Sequence, residues 1–164
     1  AIGHRYKTFR EFAEADLSDI YGNRMLKEAL HYQSETFAHA WFENENGHFK
    51  QRHPLPTRTQ FSTINAIEPI DYNGDKFPDL LIAGNLYQAE VETPRSDAGL
   101  GVVLVGSAQG FQTITPTQSG LLFRADIKNI AHIQLSDNKT GYLLGVNDGQ
   151  LRLMELTHNQ QLLY

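Results

Sequence analysis

The chain has 164 residues, 40% of them hydrophobic, with 14 basic and 19 acidic side chains, a length suited to one domain with a sizeable core or to two or three stacked repeats. Its acidic balance, with a pI near 5.8, offers no global attraction for nucleic acid or an anionic membrane. With zero cysteines it has no disulfide framework, thiolate zinc or thiol nucleophile, and no apolar run approaches the ~20 residues that cross a bilayer.

No signal-peptide pattern opens the chain, and Ala1 in place of an initiating Met leads us to expect further sequence upstream. Residues 1–36 read as a short helical segment. Thr8 and Glu11 have the spacing of a capping box, in which the hydroxyl and the carboxylate satisfy the first free amides of a helix running to about Ala15. Leu17 to Tyr21 either extends that helix or turns. After Gly22 and Asn23, the apolar residues Met25, Leu26, Ala29, Leu30 and Phe37 recur every three or four positions, which predicts an amphipathic helix packing one stripe onto a sheet, with Met25 and Leu26 in the core.

From residue 37 to 164 the helical period fades and branched and aromatic runs sit between Gly, Asn and Pro, the punctuation of hairpins. Ala40 to Phe49 is the first, turning at Asn46-Gly47. Within Asp71-Tyr72-Asn73-Gly74-Asp75-Lys76-Phe77-Pro78-Asp79, oxygen-bearing side chains alternate before the apolar run Leu80 to Ala83. Calcium takes six to eight oxygen ligands at about 2.3–2.6 Å, and alternate residues of a curled loop can aim oxygens at one ion. Asp71, Asn73, Asp75 and Asp79 would give side chains, Phe77 its carbonyl, and Gly74 the bend. An EF-hand is disfavoured, because a strand follows in place of a helix and no Glu stands at position twelve. Asx-rich turns use the same residue types without metal, so that alternative stays open.

The linker from Leu86 to Leu100 is long for a connection within a compact domain, and long loops often carry function. Arg95 and Asp97 in it are candidates for binding a partner, or for ordering the loop by pairing with each other. Val102 to Phe111 and Leu151 to Leu162 are two further hairpins. Ile67 to Asn85 can be laid beside Ile130 to Asn147, an internal repeat offset by roughly sixty residues. The second copy keeps one acid, Asp137, where the first has its loop, so one calcium site and one degenerate loop are expected.

On these residues the chain resembles the FG-GAP or VCBS repeat, the four-stranded blade of integrin-α-type β-propellers and of many exported bacterial proteins. Asp71 to Ile82 is similar to that family's Asp-Phe-Asn-Gly-Asp-Gly-x-Pro-Asp-Leu-Leu-x signature, with Lys76 at the second Gly, and Asn46 to Phe49 and Gln109 to Phe111 are similar to its Gly-x-Phe or Gly-Phe turn. The resemblance implies a mainly β fold: a partial propeller of two to three four-stranded antiparallel blades. It also implies calcium bound through Asp71, Asn73, Asp75, the Phe77 carbonyl and Asp79, and an extracellular or cell-surface location. Three blades do not close a ring, since propellers typically have four to eight. An uncovered end would be met by further sequence, by the helices or by a homodimer.

No Gly-x-Ser-x-Gly elbow, phosphate-binding glycine loop or metal-hydrolase His motif occurs in the chain. The expectation is therefore a non-enzymatic module that binds an unidentified protein or glycan or serves as a scaffold. The alternative is the non-catalytic part of a secreted hydrolase whose active site lies upstream.

Overall fold

A computed structural model describes residues 5–136, 139–156 and 162–163. Two compact units divide the chain, Ala1–Phe37 and Ala38–Tyr164. Among its described residues the first holds the short helices α1 (Phe9–Ala13), α2 (Leu17–Tyr21) and α3 (Asn23–Glu28). The capping box at α1 is present: Thr8 Oγ1 accepts from Glu11 N at 3.2 Å, and the Glu11 carboxylate accepts from Thr8 N at 3.1 Å. Asp16 and Asp19 build a second box at α2, which starts a new helix instead of extending the first. The Ser18 hydroxyl, 2.6 Å away, and then the Asp19 amide hold the Asp16 carboxyl below the usual aspartate range.

The long amphipathic helix expected from Met25 to Phe37 does not form; α3 stops at Glu28. The Leu26 carbonyl, which a further turn would use, is taken by Ala29 N at 3.3 Å and faces the His31 ring at 2.9 Å. Between His31 and Thr36 only Tyr32 continues the apolar spacing, and it is 90% exposed. No residue of the three helices is buried, so the expected core stripe is absent as well. Met25 is 58% exposed and Phe37 88%.

The second unit is mainly β, and its strands run in chain order: β1 (Ala40–Glu45), β2 (His48–Pro54), β3 (Ile64–Ile70), β4 (Asp79–Gly84), β5 (Val102–Ser107), β6 (Gly110–Thr113), β7 (Ile127–Ser136), β8 (Lys139–Val146), β9 (Arg152–Leu156) and β10 (Leu162–Leu163). A 3-10 turn (Thr57–Phe61) and a short helix, α4 (Pro116–Ser119), lie between them. Among the described residues they form three antiparallel sheets and no closed barrel: the hairpin β1-β2, the meander β3-β4-β5-β6 and the meander β7-β8-β9-β10. Asn46 and Gly47, both at positive φ, make the two-residue turn whose twist suits a hairpin.

Cover on both faces explains why the two central strands, β4 and β5, are near-continuous apolar runs that do not alternate, whereas the outer β3 and β6 carry polar residues. Leu80 and Ile82 of β4, with Val102 and Leu104 of β5, pack on the side of Trp41 and Leu55. Leu81 and Ala83, with Val103 and Val105, pack on the other side against Ile127, Ile130, Tyr142, Leu144 and Met154 of the last sheet. Leu121, Phe123 and Ala125, in the connection to β7, fill the same core. The register repeats: Leu81 opposes Val103 as Leu143 opposes Leu153, and Leu80 opposes Leu104 as Tyr142 opposes Met154.

Leu81 is fully enclosed between two sheets. We expect Leu81→Ala to lower unfolding free energy by about 3 kcal/mol in urea titrations, whereas Leu122→Ala, at a 41% exposed position, costs under about 1 kcal/mol.

Candidate metal centre

The loop joining β3 to β4 curls because Gly74 and Lys76 both adopt positive φ, 77° and 68°. Each polar side chain closes its own turn: Asp71 Oδ1 accepts from Gly74 N at 2.8 Å, Asn73 Oδ1 from Asp75 N at 3.0 Å, and Asp75 Oδ1 from Phe77 N at 2.8 Å. Asn73 Nδ2 also donates to Asp75 Oδ2 at 2.7 Å. Asp71, Asn73 and Asp75 thus share one small loop, and Asp71, Asp75, Lys76 and Phe77 are exposed.

Asp79 is placed differently. It is 0% exposed, and its two oxygens accept from Tyr72 N and Gly106 N, each at 2.8 Å. That carboxylate ties the start of the loop to β5 from beneath. A side chain at Gly106 would put its Cβ 2.3 Å from the Pro78 carbonyl oxygen, so the close seating of loop on strand requires glycine there. Tyr72 anchors the other side of the loop in the core, and burial pushes its phenol pKa up.

Among the described residues no group of three or more His, Cys, Asp or Glu is gathered as a metal site. The loop's donors are of another composition: two carboxylates, one amide oxygen and the Phe77 carbonyl. All are hard oxygens that suit calcium, and an oxygen accepting one hydrogen bond keeps lone-pair capacity. Asp79 fits the set only by sharing its oxygens with two N–H donors. Asp137, the acid of the expected degenerate loop, lies outside the described residues.

A cleft of about 400 Å³ opens beside the loop, lined by Glu68, Asp71, His132, Thr140 and Tyr142 among others. Burial, and then the Glu68 charge, raise the Tyr142 pKa. The sequence reading did not single out Glu68, His132 or Tyr142; the signal was the internal repeat, which sets residue 70 of one copy beside the next copy once the sheets stack.

At the other end of β4 the chain is clamped. Asn85 is buried, at φ 90°. Its Oδ1 accepts from Ser62 Oγ and Gly99 N, and its Nδ2 donates to the Gly99 and Ala125 carbonyls, all between 2.7 and 3.0 Å. Nearby, buried Asp126 accepts from Tyr87 N at 3.3 Å and Asn147 Nδ2 at 3.2 Å through Oδ2. The Lys128 ammonium forms an ion pair with Oδ1 at 2.6 Å. Burial pushes the Asp126 pKa up, but Lys128, the Tyr87 amide and Asn147 together outweigh it and hold the carboxyl below its ordinary value.

Leu86 and Ser96 exchange backbone hydrogen bonds of 2.8 and 2.9 Å, so the long linker leaves as a closed loop. Arg95 and Asp97, the candidate partner-binding pair, bond each other, with Arg95 Nε donating to Asp97 Oδ2 at 2.9 Å. The guanidinium also covers the Tyr87 ring at 4.9 Å.

Two outcomes follow. In chelator, Asp79→Ala strips two buried amides of their acceptor and should lower unfolding free energy by about 3 kcal/mol, while Asp75→Ala costs under about 1 kcal/mol; equal losses would refute the separate role of Asp79. Because the folded pKa of Asp126 is depressed, its contribution to stability is present above the unfolded value and is lost as pH falls through the folded one. The stability gap between wild type and Asp126→Asn, followed by denaturant titration from neutral pH into acid, should therefore narrow across that range.

No family model, curated protein or solved structure matches this chain.

Proposed function

We propose that residues 38–164 are part of an FG-GAP/VCBS-type β-propeller, in which β3-β4-β5-β6 and β7-β8-β9-β10 are two successive blades and β1-β2 is the outer half of a third. In this reading the chain is a non-enzymatic calcium-binding module of a larger exported or cell-surface protein. The observation that carries it is the position of the Asp71–Asp79 loop. It links the first two strands of a four-stranded meander, the blade position where such repeats hold calcium, and it places Asp71, Asn73 and Asp75 together in one tight curl.

Calcium would be held by Asp71, Asn73, Asp75 and the Phe77 carbonyl, with Asp79 shared between the ion and the amides of Tyr72 and Gly106. Its role is to fix the loop: two or more carboxylates brought this close repel one another until a cation offsets their charge. A fixed loop in turn fixes Asp71 at the rim of the Glu68–His132–Tyr142 cleft, whose polar lining suits the hydroxyls of a glycan or a polar protein segment. Arg95 and Asp97 form a second exposed polar feature for a partner. Extracellular calcium, in the millimolar range, would be enough for a site of this kind.

Calorimetric titration of calcium into chelator-stripped protein is expected to give one ion per chain at sub-millimolar to millimolar affinity, of order 0.1–1 mM, together with a higher melting temperature. Asp75→Ala should abolish both effects. Absence of heat at several times that concentration, or unchanged binding by the variant, would reduce the loop to a metal-free series of Asx turns.

A further inference from the structure

The three sheets have a direction. In the middle sheet, Leu80, Ile82 and Leu104 face the preceding hairpin, and Ile70, Leu81 and Val103 face the following sheet. The last sheet keeps that polarity: Tyr142, Leu144 and Met154, the counterparts of Leu80, Ile82 and Leu104, face back toward the middle sheet. Its forward face carries Ile133, Leu143 and Leu153, the counterparts of Ile70, Leu81 and Val103. In the middle sheet those positions are buried, Val103 completely; in the last sheet Leu153 is 47% exposed. Leu135 lies across Gly141 on the same face and extends the apolar surface.

The opposite end is open in the complementary sense. Trp41 of β1 faces forward onto the middle sheet, where its ring meets Phe111. Phe42, the next residue, points the other way and meets Phe49 of β2 at 5.8 Å between ring centroids. These two rings are 52% and 76% exposed.

We propose that the chain associates head to tail with a second copy of itself, the Phe42–Phe49 face of one copy covering the Ile133–Leu143–Leu153 face of the next. The proposal rests on the same stacking of sheets as the propeller reading, but not on calcium. Its ground is continuity with the joints inside the chain. The forward face of the last sheet repeats a face that another sheet of this chain already buries, and Phe42 and Phe49 form the backward face that such a joint requires. Exposed apolar faces that repeat a joint already buried within the chain favour burial against a similar repeat. A second copy brings the missing half of the joint with the matching polarity. The contact is heterologous, so it generates a ring if the rotation closes and an open chain if it does not.

Sedimentation velocity of the full chain, from about 1 μM to about 1 mM to cover micromolar and millimolar dissociation constants, tests this in both calcium and chelator. Wild type is expected to form dimers or larger species in both buffers, which separates the result from the calcium titration. Phe42→Glu and Leu153→Glu should each be monomeric, and mixing them should restore a 1:1 dimer that grows no further, since one intact head then meets one intact tail. The dimer would also show that both variants are folded. If either variant loses its melting transition, Phe49→Gln or Leu143→Gln replaces it. A monomeric wild type overturns the proposal. So does a Phe42→Glu protein that associates like wild type, which would mean a tail-to-tail contact, and so does a mixture of folded variants that stays monomeric.

Discussion

Burial of β4 and β5 on both faces is the constraint from which the rest of the β unit follows. A strand with water on one side can alternate apolar and polar residues; β4 and β5 have no wet side, and Leu80 to Ala83 and Val102 to Leu104 are all apolar. Such strands carry no polar side chains to set their register. It is set instead at their ends, by polar groups that must be satisfied because they are buried too. Asp79 does this at one end of β4 and Asn85 at the other. The two residues act as stops on a strand whose interior would tolerate a slip.

That placement explains why a candidate ion site and a structural clamp sit on the same short strand. Asp79 closes the loop through the Tyr72 amide and fastens it to β5 through the Gly106 amide, so the shape of the loop is coupled to the packing of the sheet. Asn85 reaches across to the Ala125 carbonyl and so couples the same strand to the chain entering the last sheet. A change of charge in the loop is thereby felt at a packed interface, whereas a change at Arg95, which among the described residues bonds Asp97 of its own exposed loop and covers Tyr87, is felt locally.

The parts legible in the sequence were those written by neighbouring residues. The turn at Asn46-Gly47, the Thr8–Glu11 box, the curl from Asp71 to Phe77 and the apolar strand after it each depend on contacts a few residues apart. The Asn85 clamp was not legible, because its partners lie 14 and 40 residues away and an Asn after a Gly at the end of a strand has the look of an ordinary turn. Asp79 was legible as an acid of the motif but not as a buried acceptor, since the same position serves an ion or two amides equally well. The helix expected beyond Met25 failed for a related reason. Spacing reports a stripe, but five- and six-residue helices lie below the length at which propagation offsets nucleation, and no residue in them is buried to make up the difference.

The two four-stranded sheets also form a natural comparison of one hairpin with and without its acidic loop. Between β3 and β4 the pairing ends at Ile70 and Asp79, and the intervening residues curl away. Between β7 and β8 it continues to Ser136 and Lys139, which makes those strands ten and eight residues long. The position of Asp79 is held there by Gly141, which has no side chain to capture an amide. With no side chain at Gly141 to draw the backbone out of line, the ladder runs on to Ser136 and Lys139 and its backbone groups satisfy one another. The loop from Asp71 to Phe77 therefore exists at the expense of strand pairing that the same framework can make, and its side chains stand in for the lost ladder by bonding the amides of Gly74, Asp75 and Phe77. Those side-chain oxygens are held within one short loop, each accepting from an amide two or three residues further on.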